Sequence, residues 1–305
     1  MRALALTSLL LVACGPAGPI WEKSDTKVTD DLYALDGVGA NDVWAVGESG
    51  TALHFDGTSW TKVTSGTTRT LRSVWAASAN DVWMVGDSGA VLRWNGTTLS
   101  AVSGAPDTQA FVSVRGLSSS VVFLCAQNGL FLFDGTFHEF TRGGNGTSHV
   151  RCQSLFELQG GVAALVEKDL SSSGEIQKLA ANGGTVLDVK GTISSSFESK
   201  MFALGPSDFW LLNSSSSSVK RFGGDMPIEL TLPKDMGVSG GFARSATDVW
   251  LCGSQGRLAQ WDGMGSEATL KVAGGYEAPR MMAMWGQTDV LFAAGSGGWV
   301  LRLVE

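Results

Sequence analysis

A six-residue segment that returns at a near-constant interval constrains this chain more than any other feature. Asp42-Val43-Trp44-Ala45-Val46-Gly47 comes back as Asp81-Val82-Trp83-Met84-Val85-Gly86, as Asp208-Phe209-Trp210-Leu211-Leu212 and as Asp248-Val249-Trp250-Leu251-Cys252-Gly253. Weaker copies start at Val121, Gly161 and Asp289, so successive starts lie 39, 40, 40, 47, 40 and 41 residues apart. Seven such units mean seven copies of one supersecondary element, each too small to bury its own apolar face and stable only against its neighbours.

Each unit carries four strand signals. In the second, Leu71-Arg72-Ser73-Val74-Trp75 alternates, the Asp-Val-Trp strand follows a Ser/Ala/Asn turn, and a Gly-containing turn leads to Ala90-Val91-Leu92-Arg93-Trp94. The third strand ends in Asn95-Gly96, as others end in Asp56-Gly57, Asp134-Gly135 and Asp262-Gly263, dipeptides that supply hairpin turns with positive φ. A fourth strand such as Trp60-Thr61-Lys62-Val63 completes the unit. Four antiparallel strands in about 40 residues is a propeller blade, so the expected fold is an all-β, seven-bladed propeller over 20–305. With 40 glycines in 305 residues the chain is also turn-rich, and no stretch shows helical periodicity. The serine-rich segments 169–174 and 214–218 fall between second and third strands and read as loops.

The two ends complete each other. In the last unit the third strand, Trp299 to Val304, runs out at Glu305, where a turn glycine belongs. Gly18-Pro19-Ile20-Trp21 matches Gly57-Thr58-Ser59-Trp60, and Trp21 precedes Leu32 by the same eleven residues that separate Trp60 from Leu71. The N-terminal strand is therefore expected to be the fourth strand of blade seven, closing the ring over Trp285 and Leu303.

Before it lies a targeting signature. Met1-Arg2 is basic, Ala3 to Val12 is apolar, and a run of about ten residues is too short to span a ~30 Å hydrocarbon core as a helix. The run ends Leu11-Val12-Ala13-Cys14, which resembles the bacterial lipobox. That resemblance implies a signal peptide of residues 1–13, diacylglyceryl and palmitate chains on Cys14, a membrane anchor, and, with Gly15 rather than Asp next, the outer membrane, on either its periplasmic or its cell-surface side. Residues 14–19 form the tether and reach at most ~20 Å, which keeps the globular part close to the bilayer.

The repeat itself, s-x-D-V-W-A-V-G followed by D-G-x-x-W, resembles the photosystem-assembly-factor-like and sialidase-like BNR propellers, and more loosely the WD and YVTN repeats. The resemblance covers residues 20–305 and implies the fold; propellers host unrelated activities. A sialidase Asp-box has Asp two residues before its Gly, whereas Asp56 directly precedes Gly57.

Residues with chemical potential mostly recur at equivalent positions, which marks them as structural. Ten of eleven tryptophans do so, Trp299 being outside the register, and large aromatics that recur blade after blade pack between blades. The aspartates opening second strands, at 42, 81, 208, 248 and 289, are expected to bond neighbouring backbone N–H groups. Cys125, Cys152 and Cys252 replace core aliphatics and read as free buried thiols, with a Cys125–Cys152 disulfide between neighbouring blades left open. The three histidines are scattered, and no metal, cofactor or catalytic motif is found. A net charge of −7 without Lys/Arg clusters argues against nucleic acid.

What remains are the loops joining one blade to the next, which share a face with the second-to-third-strand turns. Arg69, Arg142, His149, Tyr276 and Arg280 are the ligand-binding candidates there. The expected function is non-enzymatic binding or scaffolding of an envelope protein or glycan. The alternatives are an assembly factor for an envelope complex and a glycosidase or lyase.

Overall fold

The computed structural model describes residues 20–142, 148–149, 151–158, 161–167, 174–180, 183–186, 199–205, 207–214, 217–223, 226–272 and 279–304. Seven four-stranded antiparallel sheets form seven blades. Blade one comprises Leu32–Gly39, Asp42–Gly47, Ala52–Phe55 and Trp60–Val63. Blades two to six cover 71–101, 111–139, 152–186, 199–230 and 238–272. A two-stranded ribbon, Thr141–Arg142 with Ser148–His149, follows blade three. The first strand of each blade lies against the first strands of both neighbours, so these strands ring the central channel. Among the described residues, no helix is long and apolar enough to cross a membrane.

Second strands begin at Asp42, Asp81, Val121, Gly161, Asp208 and Asp248, where the repeat places them. Blade seven departs by one residue. Blades one, two, three, five and six carry a bulge before the first-to-second turn, as between Gly37 and Gly39, but in blade seven Gly286↔Leu291 and Gln287↔Val290 pair without one, as Leu158↔Gly161 does in blade four. Val290 therefore occupies the position of Asp42, and Asp289 lies in the turn rather than opening the strand.

Two turns differ in their conformational demands. At the second-to-third turn Ser49 and Gly50 both have positive φ (54° and 70°), and Thr51 N–H donates to the Glu48 carbonyl, the type I′ geometry. Gly50 is required twice over, because a Cβ there would sit 2.0 Å from the Thr67 carbonyl oxygen. At the third-to-fourth turn, only the glycine takes positive φ. Asp56 contributes its carboxylate, which accepts the Thr58 and Ser59 N–H groups at 2.9 and 2.8 Å.

Ile20–Ser24 pairs antiparallel with Val300–Val304, from Ile20↔Val304 to Ser24↔Val300, and is the outer strand of blade seven. Trp21 is 1% exposed and packs with Leu301 and Leu303 of its own blade and against Trp250 of blade six, ring centroids 5.3 Å apart. Beyond the strand, the Thr26 hydroxyl donates to the Gly298 carbonyl at 2.6 Å. Trp285 is not beneath this strand. It faces the other way, into the cluster with Leu35, Phe55 and Trp60 of blade one.

The same alternation fills the interfaces that carry tryptophan, while those between blades three and four and between four and five are filled by phenylalanine and aliphatic side chains. A second-strand tryptophan faces the following blade, as Trp44 does with Leu71 and Met84, and a fourth-strand tryptophan faces the preceding one, as Trp60 does with Phe292. At the interface of blades three and four the reading of Cys125 and Cys152 as free thiols is overturned. Their Cα atoms are 5.3 Å apart and the sulfurs are bonded. The pair occupies the place that Val46 and Leu71 fill between blades one and two, an apolar contact that becomes covalent when both residues are cysteine. Cys252 is free and buried.

Three outcomes are expected. Trp21→Ala lowers unfolding free energy by about 3–5 kcal/mol, read by urea titration, and deleting residues 15–28 leaves a chain that aggregates through its open edge. Reducing Cys125–Cys152 costs about 2–4 kcal/mol, read as a lower melting temperature in dithiothreitol that a Cys125→Ala variant no longer shows.

Candidate functional site

The recurrent polar residues are committed to the blades. Asp42 lies 2.8 Å from His54 Nε2, and the imidazole stacks on Trp44. Arg93 Nε and Nη2 donate to the two Asp81 oxygens at 2.6 and 3.1 Å, with the guanidinium 4.9 Å from the Trp83 ring. Arg221 repeats this with Asp208 at 2.8 and 2.9 Å over Trp210, and Gln260 takes the same place beside Asp248 at 2.7 Å. The second-strand aspartates thus hold third-strand side chains against the buried tryptophan, rather than bonding backbone N–H groups as the sequence suggested. Tyr33 is equally committed. Burial, then its hydrogen bond to Glu48 at 2.9 Å, pushes the phenol up to about 12, away from use as a nucleophile.

A cleft of about 960 Å³ opens on the loop face between the outer halves of blades one and two. Its rim is the second-to-third turns at Gly50 and Gly89 and the connection 64–69; its walls are Lys62 and Val63 on one side and Leu92, Leu99 and Val102 on the other. Lys62 is anchored by Asp30 at 3.6 Å, while the exposed Arg69 and Asp107 make no ion pair among the described residues. Arg69 is held by its backbone, whose N–H donates to Thr67 Oγ1 at 3.1 Å. The walls carry the apolar Val63, Leu92, Leu99 and Val102, and Arg69 and Asp107 add one cation and one anion. Asp107 is the one carboxylate in the lining, whereas two-carboxylate glycoside hydrolysis takes a pair.

The sequence candidates do not converge. Arg69 lies in the cleft. Arg142 and His149 lie on the two strands of the ribbon after blade three, one register step apart, with Thr141↔His149 and Arg142↔Ser148. Arg280 enters blade seven, its Nε donating to Ser239 Oγ at 2.7 Å. Tyr276 lies outside the described residues, as do Cys14 and all of residues 1–19. Lys62 was missed because one lysine on an outer strand looks like any solvated face.

No family model matches the chain, and no curated protein does. Solved structures do. YCF48 bound to a D1 peptide is 15% identical, with 96% of this chain and 99% of that one covered and a TM-score of 0.74. YCF48 from Cyanidioschyzon merolae is 13% identical over 93% and 98%, TM-score 0.70. A catalytically inactive virginiamycin B lyase from Staphylococcus aureus with quinupristin is 10% identical over 93% and 99%, TM-score 0.74. The likeness is of fold. It establishes the seven-bladed propeller over nearly the whole length of each chain, and no activity with it.

Asp208→Ala tests the structural role of the second-strand aspartates. It strands Arg221 and is expected to cost about 1.5–3 kcal/mol in urea unfolding, while the Arg93–Asp81 pair of blade two is left intact.

Proposed function

We propose that this chain is a non-enzymatic protein-binding propeller of the bacterial envelope, held at the outer membrane by lipid on Cys14, which takes a segment of another envelope protein in the cleft between blades one and two. The observation that carries the binding half is the cleft itself. Its walls carry Val63, Leu92, Leu99 and Val102, its lining holds Arg69 and Asp107 without an ion pair among the described residues, and the polar residues that recur in the strands are engaged in packing the blades. Such a site offers apolar contact plus two charges of opposite sign to fix direction, which suits a polypeptide segment. A YCF48 propeller of the same fold is described as bound to a D1 peptide, which supports a peptide ligand and the assembly-factor version of this function. The anchoring half rests on the lipobox-like Leu11-Val12-Ala13-Cys14.

Crosslinking and pull-down of the lipidated protein from its own membranes tests the binding. The expected result is a discrete partner whose recovery falls about tenfold in Arg69→Ala and in Asp107→Ala, a loss of ~1.4 kcal/mol. Recovery equal to wild type in both variants overturns the cleft. A partner recovered only during biogenesis marks an assembly factor. Separately, Cys14→Ala is expected to move the protein from the membrane pellet to the soluble fraction and to abolish labelling by a fatty-acid analogue.

A further inference from the structure

The layer of first-strand side chains nearest the loop face of the central channel is almost uniform. Register against the second strands aligns Ala34, Ser73, Ser113, Ser154, Lys200, Gly240 and Ala283. Six are small, and two of the serines knit neighbouring blades, Ser73 Oγ accepting the Val114 N–H at 3.2 Å and Ser113 Oγ the Leu155 N–H at 3.2 Å. Lys200 alone is long and charged. It reaches past Gly240, whose missing side chain leaves the way clear, and its Nζ donates to the Met282 carbonyl of blade seven at 2.9 Å.

This ammonium is exposed to the channel yet surrounded by protein, which lowers its pKa from the usual lysine value, with the like charge of Arg280 adding to the effect. Cys252, the one group among the described residues that opposes this, is itself pushed up to about 12 by burial, so it is a neutral thiol at physiological pH and supplies no countercharge. Arg280 stands at the same mouth, its Nε spent on Ser239 and its two Nη groups left over among the described residues. Among the described residues no carboxylate lies against either cation. Elsewhere on this inner ring they do: Arg72 is paired with Asp87 at 2.6 Å, and Arg151 with Glu167 at 3.5 Å. Two crowded cations with no countercharge among the described residues are costly unless a ligand completes them.

We propose that the loop-side mouth of the channel, between blades five and seven, is an oxyanion site in which Lys200 and Arg280 together receive one carboxylate or phosphate group. A single planar or tetrahedral anion there accepts from the Lys200 ammonium and from the Arg280 fork, and the small side chains around the ring leave room for the chain that carries it. The site deepens the loop-face binding function and rests on it only for the nature of the carrier. It is distinct from the cleft between blades one and two, so loss of partner capture there and loss of anion binding here are separate outcomes.

The test is thermal unfolding of the purified mature protein in sodium chloride, sodium acetate, sodium phosphate and an acetylated aspartyl peptide amide, all at equal ionic strength. Wild type is expected to melt about 2–4 °C higher in a saturating oxyanion than in chloride. Acetate and the peptide acting where phosphate does not identifies a protein carboxylate as the natural ligand, and the reverse identifies a phosphate. Lys200→Met and Arg280→Gln are each expected to lose the increment, Lys200→Arg to keep it, and Lys200→Met to melt no lower than wild type in chloride, because it removes an uncompensated cation. No increment over chloride in wild type, or an equal increment in Lys200→Met and Arg280→Gln, overturns the proposal.

Discussion

A ring of seven sheets has no terminal edge only if its last sheet is finished, and here that work falls to five residues. Ile20–Ser24 supplies the fourth strand of blade seven, and through Trp21 and Trp250 it reaches into blade six. Every other blade is made of consecutive chain and is stable by contact with two neighbours. Blade seven is assembled from residues nearly three hundred positions apart, so its pairing is the most expensive in loop entropy and the last element that the ring's stability can spare.

Inside that frame, one device recurs with changing chemistry. An aspartate at the start of a second strand holds a third-strand side chain over a buried tryptophan, and the held group is His54, Arg93, Arg221 or Gln260 in turn. What is preserved is a donor to the carboxylate and a flat surface to the indole. Blade seven lacks the device, because without the bulge Asp289 falls into the turn and Val290 takes its place, next to Phe292 rather than tryptophan.

These particulars explain what the sequence made legible. Strand starts, blade number and closure follow from spacing, and spacing is preserved because each blade must repeat the same geometry to stack. The displaced Asp289 was hidden because residue identity cannot register a missing bulge. Cys125–Cys152 was hidden because both cysteines sit at aliphatic positions, and their distance of 5.3 Å depends on how two blades meet. In the candidate site, Arg69 was legible because it lies in a loop joining two blades rather than in a repeated strand. That Arg280 belongs with Lys200, and not with Arg69, required the strand register that puts Lys200 in a layer of alanines, serines and glycine. Lys200 itself looked like an ordinary strand lysine until its six equivalents were aligned.

The direction of the closing strand has a consequence for how the molecule meets a surface. Ile20 pairs with Val304, at the end of the third strand where a third-to-fourth turn would otherwise stand, so the chain enters on the face opposite the cleft and the channel mouth at Lys200. With the proposed lipid on Cys14 and a tether of a few residues, the disc would rest with its turn face toward the bilayer, and the apolar Ile20, 47% exposed, would lie at that boundary. The loop face would then look outward into the aqueous phase, and a partner would approach along the membrane normal without competing with the anchor for space.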